Sequence, residues 1–256
     1  MTVQVQRRGA VATIVLDRPH AMNAVDHELA ADLRGALDDA AADDGVRALV
    51  LTGAGRAFSS GADLKAGLAG GADLETVLHE RYHPIITGIR ALPKPVIAAV
   101  NGVAAGIGCS IALCCDLVLA AESAYFLLAF VNIGLVADGG SSFLIPERAG
   151  FARAAEMALL GERIAARKAL DWGLINRVVA DEELAGDAAE LADRLASGPT
   201  RSYAGTKRQL NAWAFARMEA QLALEASIQG ELGRSRDFAE GVAAFVEKRT
   251  ARFEGR

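Results

Sequence analysis

The chain has 256 residues, of which 52% are hydrophobic and 23% are charged, a composition that excludes an intrinsically disordered protein. This length allows one large domain or two small ones. A net charge of −5 argues against general nucleic-acid binding, which requires a basic face. Cys109, Cys114 and Cys115 have no histidine near them in sequence, so we expect reduced packing residues, with neither a metal site nor a disulfide framework.

Two segments bear on location in the cell. The chain enters a strand pattern at Thr2 without a basic stretch followed by an apolar one, so we expect a cytoplasmic protein. The uncharged run Pro95 to Cys115 is long enough to cross a bilayer, but Asn101, Gly102 and Gly106 interrupt it. We therefore predict a strand, a turn and a buried helix there, and no association with membranes.

The first part of the chain alternates between strand and helix patterns. Apolar residues in 3–5 and 11–16, on either side of Arg8-Gly9, predict a β-hairpin. Asp26 precedes leucines at four-residue spacing, which predicts a capped helix running to Ala42. Further strands are predicted over 48–52, 95–100, 117–120 and 124–126, and helices over 74–92 and up to residue 115. Continuously apolar strands alternating with helices indicate an α/β protein whose parallel sheet is covered by helices.

Helical patterns dominate after Ser141. They cover residues 151–160, 165–172, 183–197, 202–232 and 236–249. We therefore divide the chain into an α/β core over residues 1–195 and a helical C-terminal region over residues 196–256.

Two glycine-bearing turns carry the main functional signal. The segments AFSSGADLK (57–65) and AAGIGCS (104–110) each lead from an apolar strand pattern into a helix pattern. Such a turn leaves main-chain N–H groups unpaired at the positive end of the helix dipole. Two of them in one pocket would supply a pair of donors for a developing oxyanion. The sequence therefore predicts a site that holds a carbonyl group while the neighbouring carbon reacts.

Six segments, in order along the chain, together resemble the enoyl-CoA hydratase/isomerase (crotonase) family. They are RPHAMNAV (18–25), AFSSGADLK (57–65), PKPVIAAVNGVAAGIG (93–108), CDLVLAAESAYF (115–126), IGLVADGGSSFLIPERAG (133–150) and DFAEGVAAFVEKR (237–249). The resemblance implies a spiral of ββα units, a C-terminal helical trimerisation region, and a homotrimer or homohexamer. It also implies an acyl-CoA thioester as substrate, with no separate cofactor, whose carbonyl oxygen accepts bonds from the main-chain N–H groups of Ala62 and Ile107.

The chain departs from the family where hydratases carry two glutamates. By position these are Ser110 and Phe130 here, and neither side chain can act as the base or acid for a water molecule. Asp138 remains, in GLVADGG, where family members that shift double bonds or dehalogenate aromatic thioesters place a catalytic carboxylate. Its apolar neighbours, such as Leu135 and Val136, are expected to raise its pKa and strengthen it as a base. The alternative is that Asp138 serves only as a helix N-cap.

The same resemblance assigns further residues to substrate binding. Met22 and Ala24 would cup the adenine, Lys65 would lie near the CoA phosphates or pantetheine, and Arg18 would reach a phosphate. Phe245 and Lys248 would close the adenine site. The remaining binding residues are Gly61, Asp63, Leu64, Gly106, Ser110, Phe130 and Gly139. His83 could also line the acyl pocket, with Glu80 and Tyr82 of the same helix as helpers, and the alternative for all three is packing or exposure at the surface. The glycines are alternatively explained by tight packing, Lys65 by solvation, and Ser110 by helix capping or local hydrogen bonding.

Our leading hypothesis is an acyl-CoA isomerase that moves a double bond, with Asp138 as acid/base. Three alternatives stay open. The first is an enoyl-CoA hydratase with an unrecognised base, and the second is a ring-type isomerase of phenylacetyl-CoA epoxides. The third is a non-catalytic acyl-CoA binding protein, which would show thioester affinity without turnover.

Overall fold

The computed structural model describes residues 1–64 and 73–256, which form two β-sheets covered by helices. The larger sheet has the strand order β1 (Val3–Arg8), β2 (Val11–Leu16), β3 (Ala48–Gly53), β5 (Val96–Val100), β7 (Leu117–Ala121) and β10 (Arg177–Val179). The smaller sheet has the order β4 (Ala57–Ser59), β6 (Val103–Ala105), β8 (Tyr125–Leu127) and β9 (Ile164–Ala165). The predicted α/β class is confirmed.

Strand pairing explains how the site is assembled. β1 and β2 form the predicted antiparallel hairpin, and the other strands of the larger sheet pair in parallel. The chain repeatedly places one strand in the larger sheet and the next in the smaller one, as in β3–β4, β5–β6 and β7–β8. Because β4 and β6 pair in parallel, with Ala57 opposite Val103, the turns that follow them leave the same edge of the smaller sheet.

Helices cover the sheets and make up most of the second part of the chain. Asp26 caps the first one as predicted, its carboxyl accepting a 2.8 Å bond from the Leu29 N–H. The helices are His27–Ala42, Leu74–Val77, His83–Ala91, Ile107–Cys114, Ser141–Ala149, Phe151–Leu160, Ala166–Asp171, Leu184–Ser197, Thr200–Ala214, Met218–Leu232 and Arg236–Glu247, with short 3-10 turns at Pro19–Ala21 and Ala129–Ile133. The predicted division at residue 195 falls inside the helix Leu184–Ser197 and stays a prediction.

Two predicted helices are interrupted. The helix expected over 74–92 contains a π-helical turn at Leu78–Tyr82. The helix expected over 202–232 is two helices, because Phe215 leaves the helical path with φ −120°. Its ring packs on Phe143 at 5.6 Å and lies 5.0 Å from the Arg90 guanidinium. These tertiary contacts favour a break that the helical pattern of the sequence did not show.

The uncharged segment Pro95 to Cys115 folds as predicted, into β5, β6 and the helix Ile107–Cys114. Within residues 1–64 and 73–256, no helix combines the length and apolarity needed to span a bilayer. Cys109, Cys114 and Cys115 are free and buried, and burial raises the pKa of Cys109 to about 12 and that of Cys114 to about 11. The expectation of reduced packing residues is confirmed.

A buried ionic cluster joins the C-terminal helices to the core. Asp116, which precedes β7, accepts a 3.0 Å bond from Arg90 and a 2.8 Å bond from Lys207 of the helix Thr200–Ala214. The side chains of both cations are 7% exposed. Removal of the carboxylate would leave two positive charges in a poorly solvated place, which is more costly than the loss of a surface pair.

We expect Asp116→Ala to lower the free energy of unfolding by about 3–5 kcal/mol, since it strands buried cations. The matched control is Glu122→Ala, which removes the exposed partner of Arg167 and is expected to change stability by less than about 1 kcal/mol. Urea denaturation of both variants measures the difference. Equal effects of the two substitutions would contradict the importance of this cluster.

Candidate active site

The two glycine-bearing turns touch each other. Gly61 follows β4 with φ +98°, and Gly106 follows β6 with φ +51°. A β-carbon placed on Gly61 would lie 2.9 Å from the carbonyl oxygen of Ala105 and 3.6 Å from the Cα of Gly106. Both the backbone angle and the close approach require glycine at position 61. The structure therefore brings the two turns together, as the sequence predicts.

Each turn presents an unpaired main-chain donor. The Val25 N–H donates to the Gly61 carbonyl at 2.7 Å, and the Asp63 N–H donates to the Val25 carbonyl at 3.1 Å. In this parallel bridge the intervening N–H of Ala62 points away from Val25. Ile107 is the first residue of its helix, so its N–H lacks an intrahelical acceptor. Neither N–H has an acceptor among the residues that the structure describes.

The segment carrying Asp138 packs on the helix that starts at the second turn. Gly139 has φ +62°, and a β-carbon there would collide with Cδ1 of Ile107 and lie 3.1 Å from Cβ of Ser110. The ring of Phe130 covers Gly106 from another side, 3.7 Å from the position of a β-carbon on that residue. The residue after Asp138 therefore packs on the helix whose first N–H belongs to Ile107, and Ser110 of that helix is its neighbour.

The Asp138 carboxyl is buried and only half satisfied. The residue is 4% exposed, and its Oδ2 accepts a 2.7 Å bond from Gln229 Nε2. Its Oδ1 has no partner in the described part of the chain, which is unusual for a buried polar atom and typical of a functional group. Burial raises the pKa of Asp138 to about 8, helped by the nearby Glu225 carboxyl and opposed by the Gln229 bond. The predicted rise in pKa is confirmed, and a carboxyl group with a pKa in this range is suited to accept a proton at neutral to alkaline pH.

Hydroxyl groups hold the main chain of Asp138. Ser110 Oγ donates to its carbonyl at 2.9 Å, and Ser141 Oγ donates to the same oxygen at 2.8 Å. The Ser110 bond is therefore not the local one anticipated for it, because it joins the helix to a segment 28 residues away in sequence. The helix Ser141–Ala149 has Gly140 as its N-cap and no side-chain cap bond, so the alternative that Asp138 is the N-cap is wrong. Two consecutive glycines with positive φ, Gly139 and Gly140, separate Asp138 from that helix.

Two residues at this site, Glu225 and Gln229, were not predicted from the sequence. Both lie on the helix Met218–Leu232 and are buried. The signal was present as two polar residues at four-residue spacing, adjoining the buried apolar positions Leu222 and Ala226. A buried polar pair of this kind requires partners elsewhere in the fold, and here the partners belong to the Asp138 turn.

The segment assigned to adenine binding is tied to the first turn. The Met22 carbonyl accepts a 3.0 Å bond from the Ser60 N–H, and the Met22 side chain is partly exposed. Arg18 donates to the Ala24 carbonyl at 2.6 Å, and it forms ion pairs at 3.1 Å with Asp26 and with Asp63. Arg18 and Asp63 therefore neutralise each other in this structure. Leu64 is partly buried after the first turn. Lys65 lies outside the described residues.

The remaining assigned side chains differ in environment. His83 is 7% exposed, its Nε2 has no partner among the described residues, and burial lowers its pKa to about 4, so the imidazole is neutral. The Tyr82 hydroxyl donates to the Val25 carbonyl at 3.5 Å, and burial raises its pKa. Glu80 is exposed. Phe245 is exposed on the helix Arg236–Glu247, and Lys248 ends that helix in a left-handed conformation.

Within 1–64 and 73–256, His, Cys, Asp and Glu side chains form no group of three suited to a metal.

Comparison with known proteins agrees with this geometry. The sequence profile of the Enoyl-CoA hydratase/isomerase family matches residues 6–256. A probable enoyl-CoA hydratase of Rhodobacter capsulatus is 47% identical over 100% of this chain and 98% of its own. The 1,2-epoxyphenylacetyl-CoA isomerase of Escherichia coli is 44% identical over 96% of this chain and 95% of its own. The crystal structure of an enoyl-CoA hydratase from Mycobacterium avium subsp. paratuberculosis superposes with a TM-score of 0.91 at 38% identity, covering 99% of both chains. The expected crotonase fold is confirmed.

Gly61→Ala tests the contact between the two turns. We expect a loss of about 1–3 kcal/mol in stability and weaker thioester binding, because the methyl group displaces Ala105 and the left-handed backbone is strained. The control is Gly186→Ala, a helical position with open space around it, which is expected to stabilise the protein by about 0.5–1 kcal/mol. Thermal unfolding and calorimetric titration with an acyl-CoA measure both effects. Unimpaired binding in Gly61→Ala would contradict the role of the contact.

Proposed function

Because the chain belongs to the enoyl-CoA hydratase/isomerase family, we propose that it is an acyl-CoA isomerase that moves a double bond with Asp138 as acid/base. The observation that carries the proposal is the buried Asp138 carboxyl, with its pKa raised to about 8, on a segment that packs against the helix of the unpaired Ile107 N–H. We infer that this carboxyl is the proton-exchanging group and that the main-chain N–H groups of Ala62 and Ile107 are the anion-binding site. A 1,3-proton shift requires no more than these two elements.

In the proposed reaction the thioester oxygen of a 3-enoyl-CoA accepts bonds from the N–H groups of Ala62 and Ile107. Oδ1 of Asp138 takes a proton from C2, and the electrons of the C2–H bond move into a dienolate whose charge rests on the thioester oxygen. The protonated carboxyl then returns the proton to C4, which gives the conjugated 2-enoyl-CoA. One oxyanion donor stabilises the transition state by about 3–4 kcal/mol in comparable sites. The pair of donors is therefore the largest single contribution to the rate in this mechanism.

The contacts of Ser110 and Phe130 favour an isomerase over a hydratase. Hydration needs two groups that hold and activate a water molecule. The Ser110 hydroxyl donates to the Asp138 carbonyl, and the Phe130 ring lies against Gly106. Neither side chain supplies a second carboxyl group that could activate water together with Asp138. The name of the Rhodobacter relative keeps hydration among the reactions to be assayed.

A second candidate is a ring-type isomerase of epoxide thioesters. The specific observation in its favour is the 44% identity, over nearly the whole chain, to a protein named 1,2-epoxyphenylacetyl-CoA isomerase. The same oxyanion donors and the same Asp138 carboxyl would serve it, so only substrate preference separates the two. A non-catalytic acyl-CoA binding protein would bind these thioesters without converting them.

We further propose that the protein acts as a homotrimer or homohexamer. Large apolar side chains are exposed on the C-terminal helices of the single chain, among them Trp213 at 79% and Phe245 at 59%. Burial of such side chains against further copies of the chain would remove them from water.

The direct test follows the conversion of 3-enoyl-CoA to 2-enoyl-CoA by absorbance. Asp138→Asn is expected to lower kcat by about 10²–10⁴-fold, because the amide cannot accept the C2 proton. Asp171→Asn, an exposed aspartate outside the site, serves as the matched control and is expected to keep wild-type activity. Full activity in Asp138→Asn would remove this mechanism.

The pH profile provides an independent check. The base must be ionised, and burial raises the pKa of Asp138 to about 8. We therefore expect kcat/KM to rise about tenfold per pH unit below pH 8 and to level off above it. A profile that is flat between pH 5 and pH 9, in the same assay, would contradict Asp138 as the base.

A further inference from the structure

The helix Met218–Leu232 reaches from the C-terminal region into the candidate site. Its Glu225 and Gln229 are one helical turn apart, 3% and 1% exposed, and both contact the segment around Asp138. The family resemblance assigned no role to either residue.

The bonds of the Gln229 amide fix which oxygen of Asp138 is free. Nε2 donates to the Val136 carbonyl at 2.9 Å and to Asp138 Oδ2 at 2.7 Å, while Oε1 accepts from the Val136 N–H at 3.4 Å. A rotation of the amide by 180° would set its oxygen against the Val136 carbonyl and its NH₂ against the Val136 N–H. The amide is therefore oriented, and Oδ2 is occupied. Oδ1 is the carboxyl oxygen without a partner among the described residues.

Glu225 holds the turn that follows Asp138. It accepts a 2.8 Å bond from the Gly140 N–H, a 3.1 Å bond from the Ser142 N–H and a short bond from Ser142 Oγ. Gly139 and Gly140 have φ +62° and +85°, and consecutive glycines have wide conformational freedom. The bonds to the Glu225 carboxyl restrict that freedom at Gly140, whereas contact with Ile107 restricts it at Gly139.

We propose that Gln229 and Glu225 are the positioning residues of Asp138. Gln229 occupies Oδ2 and leaves Oδ1 as the oxygen that exchanges protons, and Glu225 fixes the turn that presents the carboxyl. The kinetic test below uses 3-enoyl-CoA and so rests on the proposed function. The pKa of the Asp138 carboxyl is measured in the free protein and does not depend on that function.

The two residues act on the Asp138 carboxyl with opposite sign. The Gln229 bond stabilises the ionised form and lowers the pKa of Asp138, whereas the nearby Glu225 carboxyl raises it. Tyr82, from the π-helical turn, also interacts with Asp138 and stays neutral because burial raises its own pKa. Burial likewise raises the pKa of Glu225, to about 7, so its charge is present above that pH.

The experiment titrates the Asp138 carboxyl in the full-length protein without substrate, by ¹³C NMR of labelled aspartate. The signal is assigned by its loss in Asp138→Asn. Gln229→Leu is expected to raise the pKa of Asp138, and Glu225→Gln to lower it. The matched controls are Gln209→Leu and Glu231→Gln, both at exposed positions, and they are expected to leave the titration unchanged.

A kinetic measurement separates positioning from folding. With 3-enoyl-CoA, Gln229→Leu is expected to lower kcat about 10- to 100-fold with little change in KM, because Oδ1 and Oδ2 are no longer distinguished. Should Glu225→Gln fail to fold, Ser142→Ala replaces it, since it removes one donor from Glu225. Loss of that bond raises the pKa of Glu225, reduces its charge and is expected to lower the pKa of Asp138 by a smaller amount.

The proposal is supported if the pKa of Asp138 shifts in opposite directions in Gln229→Leu and Glu225→Gln, and if Gln229→Leu also loses kcat. Shifts of the same sign, or none, in folded Gln229→Leu and in folded Glu225→Gln or Ser142→Ala overturn it, whatever the enzyme turns over. If the wild-type protein converts no thioester, the proposed function fails, and the opposite shifts still support positioning of the carboxyl.

Discussion

The close approach of two backbones, at Gly61 and Gly106, is the constraint on which the site depends. The parallel pairing of β4 with β6 sends both turns out of one sheet edge. The absence of side chains at the glycines then lets the backbones come into contact. Main-chain groups from segments more than 40 residues apart in sequence thereby become neighbours. A pair of main-chain donors is insensitive to the side chain at Ile107, but it depends on the shape of the backbone.

The chain treats its buried carboxyl groups in two different ways. Asp116 is neutralised by Arg90 and Lys207, an arrangement that holds the C-terminal helices on the core. Asp138 has a neutral amide as its side-chain partner, and the neighbouring Glu225 carboxyl makes its ionisation harder. A cation beside Asp138 would stabilise the charged form and weaken it as a base. The first arrangement keeps the carboxyl of Asp116 paired with cations, and the second raises the pKa of Asp138.

Local sequence patterns predicted much of the fold. The hairpin of β1 and β2 and the Asp26 cap follow from residues close together in sequence. The two turns that meet at Gly61 and Gly106 are distant in sequence, but each carries its own local glycine pattern. The break at Phe215 was not predictable in this way, because it depends on contacts with Phe143 and Arg90, which are distant in sequence. The roles of Glu225 and Gln229 were not predicted for the same reason. Their spacing marks a polar pair on a helix, but only the folded chain shows that Asp138 lies opposite.

The three buried thiols have a practical consequence. Cys109 and Cys114 lie on the helix that begins at Ile107, and Cys115 follows it directly. Buried thiols with raised pKa carry almost no thiolate, so alkylating reagents modify them only after the chain opens. The rate of alkylation in the native protein therefore reports how often the core around this helix is exposed to solvent, without the introduction of a further cysteine.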